Sequence, residues 1–399
     1  MSDNSLKDVY ITSIGKFLPG KAIGNDDMED YLGMVGGEPS KYKKRILQAN
    51  GIKTRYYALD EDGNRTHLVE EMAAHSVEDA LKRGGHTAED IDMLAMATTI
   101  PDMLMPGFAS MVHGRIGGGP MDILSVGGVC VSSMEAMKGA WQTVRTGEHK
   151  LVVAGASELP SVWFKSSRFE KESEIAASRD ETTESFDYFN ADFLRWMLSD
   201  GAGAVVMQDK PAAEGLSLKI DWIELRSYAH EFSTCMYMGT SDPSNPTVEN
   251  TWVSYPTISE AEADGLLVIR QNTSLLAEGM VATALKEGKR LVDEGKIKPE
   301  EIDHFMPHLS SYFFYDKIEA TLKAAGCPIP EDKWFTNLST RGNTGSASIY
   351  LMLEEAFNEG RLKEGDGILA FIPESGRFAI SLAKFTVVGP VIPKDQWPA

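Results

Sequence analysis

T-A-E-D-I-D-M-L-A-M-A-T-T, residues Thr87 to Thr99, returns later in the chain as K-P-E-E-I-D-H-F-M-P-H-L-S, residues Lys298 to Ser310. Each copy has an acidic pair, Ile-Asp, and then an apolar run of strand length. A second echo follows each copy at nearly the same distance: 39 residues separate Ile91 from Cys130, and 41 separate Ile302 from Asn343. After Cys130, the apolar residues Met134, Met137, Trp141 and Val144 mark one helical face, with Gly147 suited to the C-terminal stop. After Asn343, Ile349, Met352, Leu353, Ala356 and Phe357 do the same before Gly360, and both intervals to the glycine are 17 residues. Each helix leads to an apolar strand, L-V-V-A-G-A (Leu151 to Ala156) or I-L-A-F-I-P (Ile368 to Pro373). The pattern predicts parallel βαβ units repeated in two halves, residues 1–210 and 211–399, with one layer of sheet in each. Residues 208–270 read as an irregular inserted loop region, rich in Ser, Thr, Pro and Tyr, that covers a site.

Composition narrows the function classes. With 399 residues and 42% hydrophobic content, the chain can bury a substantial core. Its three cysteines, Cys130, Cys235 and Cys327, fit neither a zinc spacing nor an even disulfide framework, so a reducing, cytoplasmic setting is expected. The N-terminal M-S-D-N-S-L-K-D lacks the basic and apolar regions of a secretory signal, and no apolar run has the length to span a bilayer. A formal charge of -20 repels nucleic-acid backbones and anionic lipid, so neither nucleic acid nor membrane is an expected partner. No metal and no cofactor is implied.

The chemistry centres on S-V-G-G-V-C-V-S-S-M-E-A-M, residues 125 to 137. Apolar-flanked cysteines are commonly core thiols, and Cys235 and Cys327 are read that way. Cys130 differs because it follows Gly127-Gly128 at a helix entry, where the turn exposes a nucleophile and the helix N-terminus is expected to lower the thiol pKa. Of the eight histidines, His308 stands out at a strand end in M-P-H-L-S-S, suited to proton transfer or oxyanion stabilisation, with His304 the weaker candidate. Asn343, in R-G-N-T-G-S-A-S, is read either as an N-cap or as an amide donor toward developing negative charge. The order Cys, His, Asn also describes papain-like proteases, but the C-G-x-C-W context is missing.

At these residues the sequence resembles the thiolase superfamily and, within it, the β-ketoacyl-ACP synthase III group. V-G-G-V-C-V-S-S-M-E-A-M resembles the nucleophile segment, M-P-H-L-S-S the histidine segment and R-G-N-T-G-S-A-S-I the asparagine loop. L-S-D-G-A-G-A-V-V-M (Leu198 to Met207) resembles the glycine strand of the first half, and G-I-K-T-R-Y-Y (Gly51 to Tyr57) the early G-I-x-x-R segment. The resemblance implies a five-layered αβαβα fold of two duplicated halves and a homodimer formed through the first half. It implies that Cys130 takes an acyl group from an acyl-ACP or acyl-CoA thioester. His308 and Asn343 would then stabilise the enolate of the incoming extender. Backbone N–H groups of Cys130 and the Ser375-Gly376 turn would hold the acyl carbonyl.

Departures from the group refine the expectation. R-I-L-Q-A-N precedes Gly51 where initiating enzymes carry a Trp and an Arg that flank the CoA adenine, which favours a donor on acyl carrier protein. Lys41, Lys43, Lys44 and Arg45, or Lys165 and Arg168, would supply the basic patch for that acidic carrier. The histidine segment reads P-H-L-S-S rather than P-H-Q-A-N, and P-E-S-G-R-F replaces a glycine run. G-E-P-S-K-Y-K-K-R-I-L-Q-A-N-G-I-K-T-R-Y-Y-A-L-D and G-A-S-E-L-P-S-V-W-F-K-S-S-R-F-E are similar to the condensing enzymes of dialkylresorcinol, stilbene and flexirubin-type pathways, which join two β-ketoacyl thioesters and close a cyclohexanedione ring. In that setting Glu158 is either an extra base, a group that orients the acyl chain, or a structural carboxylate paired with Arg168 or Arg377. Met105, in M-L-M-P-G-F, is expected to reach the partner's acyl tunnel. Acyl transfer to an oxygen or nitrogen acceptor, and a non-catalytic partner subunit of the same fold, are the competing readings.

Overall fold

The computed structural model describes residues 6–169 and 192–390. Residues 1–5, part of the N-terminal stretch read above, and Glu170 of the G-A-S-E segment lie outside the described residues. Nine strands of the described residues share one hydrogen-bonded sheet. They are β1 (Tyr10–Phe17), β2 (Met93–Thr98), β3 (Asp122–Gly127), β4 (Leu151–Glu158), β5 (Gly201–Gln208), β6 (Ser217–Ser227), β7 (His304–Pro307), β8 (Gly367–Pro373) and β9 (Ala379–Val388). Their order is β7-β8-β9-β6-β1-β5-β4-β2-β3.

The two echoes fold alike. Both acidic segments are single 3-10 turns, Ala88–Asp90 and Pro299–Glu301, that feed β2 and β7. β2 pairs in parallel with β3 and β4, and β7 pairs in parallel with β8. On the free side of β7, Trp334 makes a lone parallel bridge to Phe305, the place that β3 takes beside β2. Reading outward from the seam, β1-β5-β4-β2-β3 is matched by β6-β9-β8-β7 and that bridge. The seam itself is two residue pairs, Tyr10 with Lys219 and Ile11 with Leu218.

Side-chain alternation sorts the helices into layers, because successive strand residues face opposite sides. The helices that matter are α1 (Val69–Gly84), α2 (Phe108–Ile116), α3 (Ser132–Thr146), α4 (Thr273–Asp293), α5 (Tyr315–Ala324) and α6 (Ser348–Asn358). In β2, Met93, Ala95 and Ala97 join the core formed with α3 and α6, while Leu94 and Met96 join the core under α1 and α2. In β8, Ile368, Ala370 and Ile372 face the same central helices, while Leu369 and Phe371 face α4 and α5. The result is helix, sheet, helix, sheet, helix: the five-layer αβαβα arrangement expected from the sequence. Both faces of these strands are buried, which is why they read as continuous apolar runs rather than alternating ones. Each fully buried Leu, Ile or Val contributes roughly 1.5–3 kcal/mol before chain entropy is counted.

The two central helices are tied together. Tyr350 of α6 is fully buried and donates from its hydroxyl to the carbonyl of Ser133 in α3 at 2.9 Å. One expectation fails in this region. Residues 208–270 are not irregular throughout, because β6 is an 11-residue strand pairing with β9 and joining the seam. The short elements lie beyond Ser227, among them a two-residue ladder between Met236–Tyr237 and Arg270–Gln271.

Candidate functional site

Cys130 sits in the turn from β3 to α3, two residues ahead of the first helical residue, Ser132. The Ser133 hydroxyl donates to the Cys130 carbonyl at 2.9 Å and the Ser132 hydroxyl to Val129 O at 2.6 Å, which fixes the turn. The thiol is buried, and its pKa moves opposite to expectation. Burial comes first, with the carboxylates of Glu374 and Glu158 adding to it, and together they push the thiol up, outweighing the amide N–H that stabilises the sulfur. Proximity to a helix N-terminus is therefore insufficient here. The resting sulfur is a neutral thiol that must lose its proton at the moment of attack.

Asn343 comes from the other half, in the loop that leads into α6. Its main chain is stitched to the first half: Ser199 N donates to Asn343 O at 2.8 Å, and Asn343 N donates to Met197 O at 3.2 Å. Its side-chain oxygen accepts from Gly345 N at 3.0 Å, which leaves the Nδ2 end for a ligand. His308 follows β7 and is anchored by its own N–H to Phe371 O at 2.8 Å. The imidazole is buried, its Nε2 has no partner among the described residues, and burial alone pushes its pKa down to about 4. It is neutral near pH 7. His304 pairs instead with Asp366 at 2.9 Å, away from this chemistry.

One cavity of about 60 Å³ gathers most of these groups. Cys130, Glu158, Asn343 and Ser375 all line it, along with Ser310, Gln271 and an apolar wall that includes Ile100, Trp163, Met197 and Ile269. His308 is not part of the wall; Ser310, two residues on, is. Gly376 lies just behind the wall, with an added Cβ placed 3.1 Å from Val129 and 2.6 Å from the Glu374 carboxylate. The Ser375-Gly376 turn belongs to the β8–β9 hairpin, closed by Glu374 N donating to Ala379 O at 2.8 Å. Phe378 in the same turn has φ +57, a left-handed conformation that costs a non-glycine residue about 1–2 kcal/mol. Its ring is fully buried beside Phe232. Met105 is 81% exposed and lies outside the cavity of its own chain.

Glu158 pairs with neither Arg168 nor Arg377. Its donors are Thr99 and Ser346, while Arg168 stacks on Trp163 and Arg377 donates to Phe232 O. Burial pushes its carboxyl up to about 7 despite those hydrogen bonds. Lys41, Lys44 and Arg45 are exposed, but Lys43 is engaged by Glu29 at 2.8 Å and Lys165 by Gly63 O at 2.7 Å.

Several site residues carried no readable signal. Gln271 is buried, lines the cavity, and donates to Cys235 Sγ at 3.0 Å and Ser375 O at 3.4 Å. Cys235 N and Met236 N donate to Gly376 O, so this segment braces the turn from behind. Glu374 was visible in P-E-S-G-R-F only as a departure from a glycine run; folded, it faces Cys130, and burial raises its pKa to about 7.

Residues 67–213 match the β-ketoacyl synthase N-terminal domain, and residues 292–372 match the 3-oxoacyl-[acyl-carrier-protein] synthase III C-terminal domain. A β-ketoacyl-[acyl-carrier-protein] synthase III of Clostridium perfringens is 26% identical over 366 residues, covering 91% of this chain and 95% of its own. One from Nostoc sp. is 26% identical over 360 residues, covering 90% and 92%. The fold is shared with AbyA1, a tetronic acid condensing enzyme, at TM-score 0.72 and 19% identity, over 95% of this chain and 99% of that one. It is shared with Xanthomonas campestris OleA, solved with lauric acid and lauroyl-CoA, at TM-score 0.70 and 19% identity, over 96% and 99%.

Proposed function

The chain belongs to the β-ketoacyl-ACP synthase III-like condensing enzymes of the thiolase superfamily, and from that premise we propose that it joins an acyl group held on Cys130 to a second, β-keto-type acyl thioester through a new carbon–carbon bond. The observation that carries this reading is the cavity in which Cys130 of one half and Asn343 of the other form a common wall of mostly apolar character.

In the first step the Cys130 sulfur attacks a thioester carbonyl and its proton passes to His308, whose neutral imidazole can accept it. The carrier thiol leaves with that proton. The N–H groups of Cys130 and of the Ser375-Gly376 turn hold the acyl carbonyl, and a donor of this kind is worth roughly 10²–10³ in rate. In the second step the Asn343 amide and the His308 imidazole bond the carbonyl of the incoming thioester as it becomes an enolate. Attack on the acyl carbon then expels the Cys130 thiolate. Ring closure to a cyclohexanedione, on the way to a dialkylresorcinol, would be a second use of the same site.

The surface supports the partners expected on this reading. Lys41, Lys44 and Arg45 offer exposed positive charge on an otherwise acidic chain, suited to an acidic acyl carrier protein. The edge strand β3 exposes Ile123, and the nearby loop exposes Leu104 and Met105, which suits a homodimer in which Met105 enters the partner's tunnel. Halves divided near residue 210 suit a duplicated module. Among the described residues no helix is long and apolar enough to cross a membrane. The test is incubation with panels of acyl-ACPs and acyl-CoAs, followed by mass measurement of enzyme and products. An adduct lost in Cys130→Ala and a product carrying a new carbon–carbon bond are expected; an ester or amide product would instead favour transfer to oxygen or nitrogen.

A further inference from the structure

Glu158 ends β4 inside the cavity shared by Cys130 and Asn343, where neither thiol acylation nor loss of carbon dioxide from a carboxylated extender calls for a carboxylate. Its two oxygens are held unequally. Oε1 accepts from the hydroxyls of Thr99, at 2.7 Å, and Ser346, and from the N–H groups of the same residues at 3.1 and 3.4 Å. Oε2 receives only the same Thr99 N–H, at 3.3 Å. One oxygen is thus an anchor, and the other is left for a proton. The Asn343 loop closes against this carboxylate through Gly345, at φ +54, where a Cβ would stand 3.1 Å from Glu158 Cγ. The five contacts come from four uncharged donor groups.

Building on the reading of Cys130 as acyl carrier, we propose that Glu158 is the base that removes a proton from C2 of a β-ketoacyl thioester, so that the second substrate is uncarboxylated and its carbanion arises by deprotonation. C2 of such a thioester lies between two carbonyls, which makes its C–H bond unusually acidic. In the step, the C2–H bond breaks, its electron pair stays on the enolate and the proton goes to Oε2. C2 then bonds to the acyl carbon, the bond from that carbon to Cys130 sulfur breaks, and sulfur leaves with the electron pair. The thiolate takes the proton back from Glu158, so thiol and carboxylate are both restored. The product is a C2-acylated β-ketoacyl thioester. A carboxyl pushed up to about 7 suits the task, since a base works best near the operating pH. The titratable groups linked to it are Cys130, held neutral, and Glu374, whose carboxylate acts on the same sulfur.

The experiment uses full-length enzyme pre-acylated on Cys130 and chased with a synthetic β-ketoacyl N-acetylcysteamine thioester. Glu158→Gln keeps the anchor oxygen but has no base. It should acylate within a few-fold of the wild type and lose roughly 10²–10⁴ in the rate of condensation, with KM little changed. Ser346→Ala removes one donor to the carboxylate, which should move the condensation pH profile to higher pH while leaving acylation intact. Condensation by Glu158→Gln within threefold of wild type, or a pH profile unmoved in Ser346→Ala, would overturn the proposal while the acyl-enzyme reading survives. If the wild type forms no Cys130 adduct, the acyl-enzyme reading falls and this one with it.

Discussion

Gly203 of β5 packs tightly against α6, and one added carbon there should separate acylation from condensation. A Cβ on Gly203 would stand 2.5 Å from Tyr350 Cβ, with Tyr350 C and Leu351 N behind it at 3.4 and 3.5 Å. Ordinary contact begins at 3.4 Å, so the gap must open by about 0.9 Å. Neither side gives easily. Gly203 is paired on both flanks, with Lys16 and Ala156, and Tyr350 is fully buried with its hydroxyl on Ser133 O. Overpacking of this kind costs about 1–3 kcal/mol. The functional cost should be larger, because α6 follows directly on the Asn343 loop, and a misplacement near 1 Å can cost on the order of 10² in rate. Gly203→Ala should therefore acylate Cys130 within a few-fold of wild type, measured by intact mass. It should condense about a hundredfold more slowly in a single-turnover chase. Gly114→Ala, on α2 with nothing within 4 Å of the new carbon, is the control and should leave both rates alone. Wild-type condensation and unchanged stability in Gly203→Ala would refute the idea that this contact sets the position of the Asn343 loop.

Two further outcomes rest on buried groups. Asp200 accepts from Ala58 N at 2.6 Å, Ser161 N at 2.9 Å and the Ser161 hydroxyl; at roughly 1–3 kcal/mol per orphaned donor, Asp200→Ala should cost about 3–9 kcal/mol in chemical denaturation. A loss below about 1 kcal/mol would show that solvent reaches those donors. Burial holds His308 near 4, so its imidazole stays ready to accept a proton at any pH above about 5, and Cys130 acylation should be flat from about pH 5.5 to 8. A tenfold climb per pH unit would mean that a pre-formed thiolate, not the imidazole, governs the step.

The features legible in the sequence were those set by local pattern. β2 and β7 announced themselves because both faces are buried, and the helix after Cys130 because one face carries most of its buried residues; the helix after Asn343 is buried at every position from Ser348 to Ala356, so its one-face reading caught only part of its packing. β6 was missed for a specific reason. Its register against β9 shifts between Lys384, opposite Trp222, and Phe385, opposite Ile220, so Asp221 bulges out and the apolar alternation changes phase mid-strand. The Cys130 pKa was misjudged because a helix entry can be read from sequence, whereas the burial that dominates the shift, and the Glu374 carboxylate that adds to it, come from packing by segments far along the chain. Gln271 and Met236 reach the site by the same kind of long-range folding, and no spacing rule points to them. Glu158 was visible at its strand end, but its anchoring by Thr99 and Ser346 depends on how the two halves close on each other.

Following one acyl group through single turnover, with intact mass for the enzyme and mass analysis for the product, decides whether Cys130 carries it into a carbon–carbon bond. Wild type should carry the acyl group on Cys130 and then release it joined by carbon to the chasing β-ketoacyl thioester. Cys130→Ala should never be labelled, Asn343→Ala should be labelled but not discharge, and His308→Ala should be labelled slowly and then stall. Labelling that persists in Cys130→Ala, or normal discharge by both Asn343→Ala and His308→Ala, would contradict the account.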